Sequence, residues 1–240
     1  MEGPALAQLE GRHRSAGGNA LRAAVLGAND GLVSNFSLVM GVAGAEVANS
    51  TIVLTGVAGL LAGAISMALG EWVSVQSSRE LYQKQIRTEK AEIAANPEEE
   101  IEELSLIYQA RGLEEQTAHQ LAQKIMSNEE TALEALSRDE LGIDPQELGG
   151  SAWEAAIASF FLFALGAIIP VFPFIFLSGT LAVIVSLVCS AVGLFLIGTI
   201  ITLFTGRSVL YSGTRQVLFG LGAAAVTFII GRVLGVSVAG

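Results

Sequence analysis

Five apolar stretches in this chain are each long enough to cross the hydrocarbon core of a bilayer, which takes about 20 helical residues. They cover residues 21–45, 51–74, 155–177, 178–204 and 216–236. Their apolar positions run on continuously instead of alternating, so helices are expected in place of barrel strands. Composition agrees. Of 240 residues, 52% are hydrophobic and 15% charged, and the mean hydropathy is +0.57, too apolar for an ordinary soluble domain. The first twenty residues are polar and carry Arg12 and Arg14 before any apolar run, so no cleavable signal peptide is expected. The single cysteine, Cys189, excludes an intrachain disulfide and a cysteine-rich metal site.

The net charge of −10 is concentrated in one segment: residues 79–150 hold 17 acidic against 7 basic residues, while the rest of the chain balances. That acidity argues against nucleic acid, whose phosphates select basic surfaces, and for cations. Basic residues also set an orientation. With the N-terminus in the cytosol, 12 of the 13 Lys and Arg residues fall on the cytoplasmic side, as the positive-inside rule demands. Arg232, near the end of the fifth stretch, is left to snorkel toward the far interface. The expected layout is a cytoplasmic segment 1–20, membrane helices 1 and 2 over 21–78, a cytoplasmic domain over 79–150, and membrane helices 3 to 5 over 151–240. The fold class is therefore an all-α integral membrane protein.

Three helices are expected in the inserted domain. The first continues the second membrane helix, through "SSRELYQKQIRTEKAEIAA". Asn96-Pro97 stops it and starts another, with Asn96 as N-cap, Pro97 in the first helical position and Glu98 to Glu100 complementing the dipole. That helix presents Ile101, Leu104, Ile107 and Tyr108 on one face and ends at Gly112. "LEEQTAHQLAQKIMSNEETALEALSRDELG" reads as one third helix with Leu121, Ile125, Leu133 and Leu136 inward. In the third membrane stretch, Pro170 and Pro173 are expected to break the helix, most simply as a packing kink. Gly59 with Gly63, and Gly231 with Gly235, are GxxxG pairs that point toward a helix–helix dimer.

Two constellations can carry chemistry. The first is intramembrane: Asp30 in "GANDG" lies at a depth comparable to Met67 and Glu71 on the antiparallel second helix, where the latter two share a face. An ionised carboxylate in lipid costs a few kcal/mol or more, so it should face the bundle interior or water. Two carboxylates and a polarisable thioether favour divalent transition metals over Mg²⁺ or Ca²⁺. Because carboxylates lose protons to bind metal, such a site can exchange the two. The competing reading makes Met67 lipid-facing filler, Glu71 interfacial and Asp30 a packing hydrogen-bonder. The second constellation is Glu89 with Glu92, Glu100 with Glu103, each pair three apart, and Glu140 after the third helix. A solvated acidic face neutralised by Lys84, Arg87 and Lys90 is the simpler reading of spacing alone; a divalent-cation site is the other. His13 and His119 form no motif, and no nucleophile–base pattern or phosphate loop occurs, so enzyme chemistry is not expected.

The motifs "LRAAVLGANDGLVSNFSLVMGVAGA", "AGAISMALGEWVSVQSSRE", "RDELGI", "GAIIPVFPF" and "AAAVTFIIGRVLG" resemble those of the vacuolar iron transporter family over nearly the whole chain. The resemblance implies a homodimer of five-helix subunits whose second helix is prolonged into a three-helix cytoplasmic metal-binding domain. It implies transport of Fe²⁺, with Mn²⁺ in some members, out of the cytosol in exchange for protons, with no cofactor. By position, Asp30 and Met67 match the family's pore-lining aspartate and methionine, and Glu71 falls one turn on. Glu89, Glu92, Glu100, Glu103 and Glu140 fall where the family's domain glutamates lie, which favours the metal reading there. Leu136 stands where the plant pattern has a methionine, which bears on selection among Fe²⁺, Mn²⁺ and Zn²⁺. The implied membrane is vacuolar in a plant or fungal cell, and the plasma or inner membrane in a prokaryote. A rival from another class is a metal-responsive membrane regulator that binds divalent cations without moving them.

Overall fold

Lipid offers no partner for backbone N–H and C=O groups, so long apolar runs fold as helices that satisfy them internally. The computed structural model describes residues 16–144 and 150–239. Among them lie eight helices: α1 (Ala16–Gly44), α2 (Asn49–Ala95), α3 (Pro97–Ala110), α4 (Glu115–Met126), α5 (Glu129–Asp139), α6 (Ala152–Phe176), α7 (Gly179–Thr205) and α8 (Val209–Ala239). Arg12, His13 and Arg14 lie outside the described residues. Two compact units form, one from residues up to Glu71 and from Ala156 onward, the other from Trp72–Ala155. Four helices, α2, α6, α7 and α8, are long and apolar enough to cross a membrane.

In the first unit α1 is the hub. Leu32, Phe36, Val39 and Met40 are buried. Phe36, Val39, Met40 and Ala43 share a cluster with Ile52 of α2, Val171 and Phe174 of α6, Ala182 of α7 and Ala224 of α8. Leu32 packs with Leu194 and Ile197 of α7. The face of α1 that these neighbours cover also holds Asn35, which is buried and finds its hydrogen-bond partners in them. The outer surface is the more apolar one: Leu54, Phe161, Leu203 and Phe219 are each 65% exposed or more.

Small residues set how closely α1 is held. A Cβ on Gly231 of α8 would run into the carbonyl oxygen of Gly41, and one on Gly235 would crowd Ala45. Gly59 fits against Leu38 and Asn35, and Gly63 against the ring of Phe163. Both GxxxG pairs are thus used inside the subunit, and the dimer expectation loses that support.

Pro170 and Pro173 do not break α6, which runs unbroken through both. Asn35 Nδ2 donates to the carbonyls of Ala167 at 2.6 Å and Gly56 at 3.1 Å. Ser186 Oγ donates to the carbonyl of Pro170 at 2.7 Å. Side chains of neighbouring helices thereby bond to backbone carbonyls in the turns around the prolines and tie α6 to α1 and α7. α7 stops at Gly206, whose φ of +63° suits glycine. Ser208 Oγ then accepts from the Tyr211 N–H at 3.3 Å, and α8 starts seven residues before the expected apolar stretch.

The second unit packs α3, α4, α5 and the end of α2 around Leu104, Tyr108, Ala118, Ala122 and Leu136. The expected single third helix is two. Asn128 caps α5, its Oδ1 accepting from the N–H of Glu130 at 2.8 Å and of Thr131 at 3.4 Å. Leu121, expected inward, is 38% exposed on α4. Pro97 does open α3, but Asn96 makes no side-chain cap to the backbone; its amide donates to Glu99 at 3.1 Å.

Candidate metal centre

Three helices bring three carboxylates together. Glu89 comes from the last turns of α2, Glu100 from the first turn of α3 and Glu140 from the residue capping the end of α5. Each offers an oxygen, and those oxygens all lie within 4.8 Å of one another. Glu89 is 3% exposed and Glu100 8%, whereas Glu140 lies at the surface. Their partners in the two i,i+3 pairs, Glu92 and Glu103, are exposed and stand outside the trio.

Clustering shifts their proton affinity. Burial first, then the charges of Glu140, Glu100, Glu92 and Glu103, push the Glu89 carboxyl up to about 7. Burial followed by Glu103 raises Glu100. Glu140 is raised by burial, Glu103 and Glu92, against a hydrogen bond with Glu89 that lowers it. Two of the three bases expected to neutralise these acids are engaged elsewhere: Lys90 pairs with Glu129 at 2.8 Å, and Arg87 Nε donates to the Gln83 carbonyl at 3.1 Å. Glu89 Oε1 is buried without a hydrogen-bond partner. An orphaned buried oxygen beside two further carboxylates is what a divalent cation satisfies.

Leu136, where the family resemblance leads to the expectation of a methionine, is fully buried in the apolar cluster and contributes packing. The donor set is therefore all oxygen. Beside it, Asp139 is held from α3: Tyr108 Oη donates to Oδ2 at 3.0 Å and Arg111 Nη1 to Oδ1 at 2.5 Å. Sequence reading missed this group, although Asp139 sits in the "RDELG" motif; nothing local marks which residues face it across 28 or more positions.

Within the first unit, Met67 is half-buried against Ala64, Phe163 and Ala167, and a Cβ on Gly27 would lie 3.3 Å from its Cε. The thioether thus points inward to α1, three residues before Asp30. Glu71, one turn beyond Met67, is half-buried. Asn29 Oδ1 accepts from the Gln216 amide of α8. Asp30 itself is exposed on the outside of the subunit, in one row with Leu26, Ser34 and Leu38. The carboxylate expected to face the bundle interior or water thus lies away from its own bundle.

Long apolar helices, a polar central helix and an oxygen-ligand trio define a multi-pass helical membrane protein with a divalent-cation site as its candidate centre. The model described as the VIT family matches residues 21–232. The chain is 34% identical over 227 residues to the vacuolar iron transporter of Acanthamoeba castellanii, covering 92% of this chain and 81% of that one. It is 32% identical over 221 residues to vacuolar iron transporter 1 of Arabidopsis thaliana, covering 90% and 87%, and 27% identical over 223 residues to the vacuolar iron transporter of Plasmodium falciparum, covering 89% and 82%. The chain belongs to the VIT family.

Proposed function

We propose that this protein is a proton-coupled transporter moving Fe²⁺, and Mn²⁺ as a second substrate, out of the cytosol as a homodimer. The relatives bear the name of iron transporters, which are not enzymes. The observation that carries the reading is the convergence of Glu89, Glu100 and Glu140 beside an unpartnered buried oxygen of Glu89; burial and its neighbours push the Glu89 carboxyl up to about 7, so a proton and a metal ion compete for it. α1 is read as the fifth spanning helix beside α2, α6, α7 and α8, with the N-terminus and the 79–150 domain in the cytosol. Trp72 and Trp153, edge to face at 5.9 Å between centroids, suit an aromatic belt at the membrane–water boundary.

Asp30 supports the transport reading over the regulator. A sensor has no need of a carboxylate in a spanning helix, where it costs about 2.5–3.5 kcal/mol on insertion scales. Its exposure on one subunit, among Leu26 and Leu38, calls for a second copy to enclose it and complete an ion path with Met67 and Glu71. Elsewhere the trio, joined by Glu92 and Glu103 at its rim, gathers ions for that path. In vesicles with a proton gradient, the purified protein should move Fe²⁺ only while the gradient lasts, and Asp30→Asn should abolish the flux. Undiminished flux in that variant removes Asp30 from the path. Equal binding with no flux in the unaltered protein favours the regulator.

A further inference from the structure

Glu140 is the weakest-held member of the trio. It lies at the surface, caps the end of an 11-residue helix, and its backbone N–H bonds only to Leu136 of its own last turn. Backbone bonds close the turn itself, Leu141 N–H to the Leu136 carbonyl at 3.3 Å and Ile143 N–H to the Ser137 carbonyl at 2.7 Å, with Gly142 at a φ of +67°. None of them ties the turn to the helices that carry Glu89 and Glu100.

What ties that turn to α3 is Asp139, the residue before. Both its carboxylate oxygens are occupied, Oδ2 by Tyr108 and Oδ1 by Arg111, and Arg111 Nη2 also reaches the Asp139 carbonyl at 3.4 Å. Arg111 lies over the Tyr108 ring at 5.9 Å, so the two donors brace each other. Tyr108 is buried in the core of the unit. α3 therefore carries a metal-ligand candidate, Glu100, in its first turn and the anchor for Asp139 in its last two turns, about 12 Å further on at 1.5 Å per residue. Consecutive helical residues point about 100° apart. Seating Asp139 on Tyr108 and Arg111 hence aims Glu140 toward Glu89 and Glu100. The half-exposed ion pair adds little stability by itself, which leaves geometry as its main effect.

We propose that Tyr108, Arg111 and Asp139 are positioning residues that set the place of Glu140 in the divalent-cation site. The proposal rests on the trio being that site. Outer-shell partners of metal ligands typically contribute about 10–100-fold in affinity, and this group, acting one residue removed, belongs at the low end.

The test is Mn²⁺ binding to the full chain in detergent, with Tyr108→Phe, which keeps the ring in the core, made alone and together with Glu140→Gln. Expected is a loss of about 10-fold from Tyr108→Phe in the native background and no further loss once Glu140 is Gln. Arg111→Gln, a half-exposed position, should repeat the pattern and serves if the Phe variant does not fold. A Tyr108→Phe loss of equal size in both backgrounds, or none in the native one, overturns the positioning role. If Glu140→Gln alone leaves Mn²⁺ affinity intact, the metal-site reading itself falls, and the proposal with it.

Discussion

A carboxylate oxygen of Glu89 and one of Glu140 lie within 4.8 Å of each other across the ends of α2 and α5, so a proton and a cation compete for the same place. In the folded chain burial and the neighbouring carboxylates push Glu89 up to about 7, well above the ordinary carboxyl range. The folded state thus binds that proton more tightly than the unfolded chain, and stability without metal should fall as pH rises from about 4.5 to about 7. Metal binding runs the other way, because the cation needs the carboxylate. Mn²⁺ affinity should climb with pH up to about 7 and flatten above it, and Glu89→Gln should weaken binding while removing most of the slope. A profile flat from pH 5.5 to 8.5, on the order of the range that brackets a shifted carboxyl, would separate Glu89 from the cation site.

The exposed row on α1 predicts where two copies meet. In a two-fold assembly, residues near the axis face their own counterparts. With Cys189 replaced by Ser, Ser34→Cys should give disulfide-linked dimers in membranes under mild oxidation. Cysteine at Leu203, three-quarters exposed on α7, should not. Cross-linking at Leu203 in preference to Ser34 would place the contact on another face and leave Asp30 in lipid.

How much of this was legible follows a pattern. Four helices long and apolar enough to cross a membrane, α2, α6, α7 and α8, were readable because length and continuous apolarity are what define them. The break between α4 and α5 was not, because Leu121, Ile125, Leu133 and Leu136 keep helical spacing across it; one capping side chain, Asn128, outweighs the pattern locally. Spacing named the five glutamates but not the three that converge. Residues i and i+3 share a helix face, yet only Glu89 and Glu100 lie under a neighbour, and that is a property of the packed unit. Likewise a glycine pair announces a close approach without saying whose: Gly231 meets Gly41 of the same chain.

That last point separates two outcomes for Gly231→Val. If its groove joined two subunits, the variant would be a folded monomer. Since a side chain there collides with the α1 backbone, where nothing flexible can yield, the subunit itself should fail, seen as aggregation in detergent or a strongly lowered unfolding temperature. Gly222→Val, on the same helix with open space around it, is the control and should cost well under 1 kcal/mol apart from lipid packing. A folded, monomeric Gly231→Val protein would refute the intrasubunit assignment.

Asn35 offers the cleanest separation of scaffold from site. Its amide ties α1 to the carbonyls of Gly56 and Ala167 while its own Oδ1 is buried and unpartnered. Interhelical hydrogen bonds in membranes average about 0.6 kcal/mol and reach about 1.7, so Asn35→Ala should cost about 1–3 kcal/mol in a reversible detergent unfolding titration, including the cavity left behind. Asn35→Leu should cost more than that in packing, because Gly59 sits so close that even a Cβ there would lie 2.7 Å from Asn35 Oδ1. Neither variant alters a carboxylate of the trio, which belongs to the other unit, so Mn²⁺ affinity at the glutamates should stay unchanged while transport falls with the amount of folded protein. A loss of metal affinity matching the loss of stability would mean that the two units fold as one.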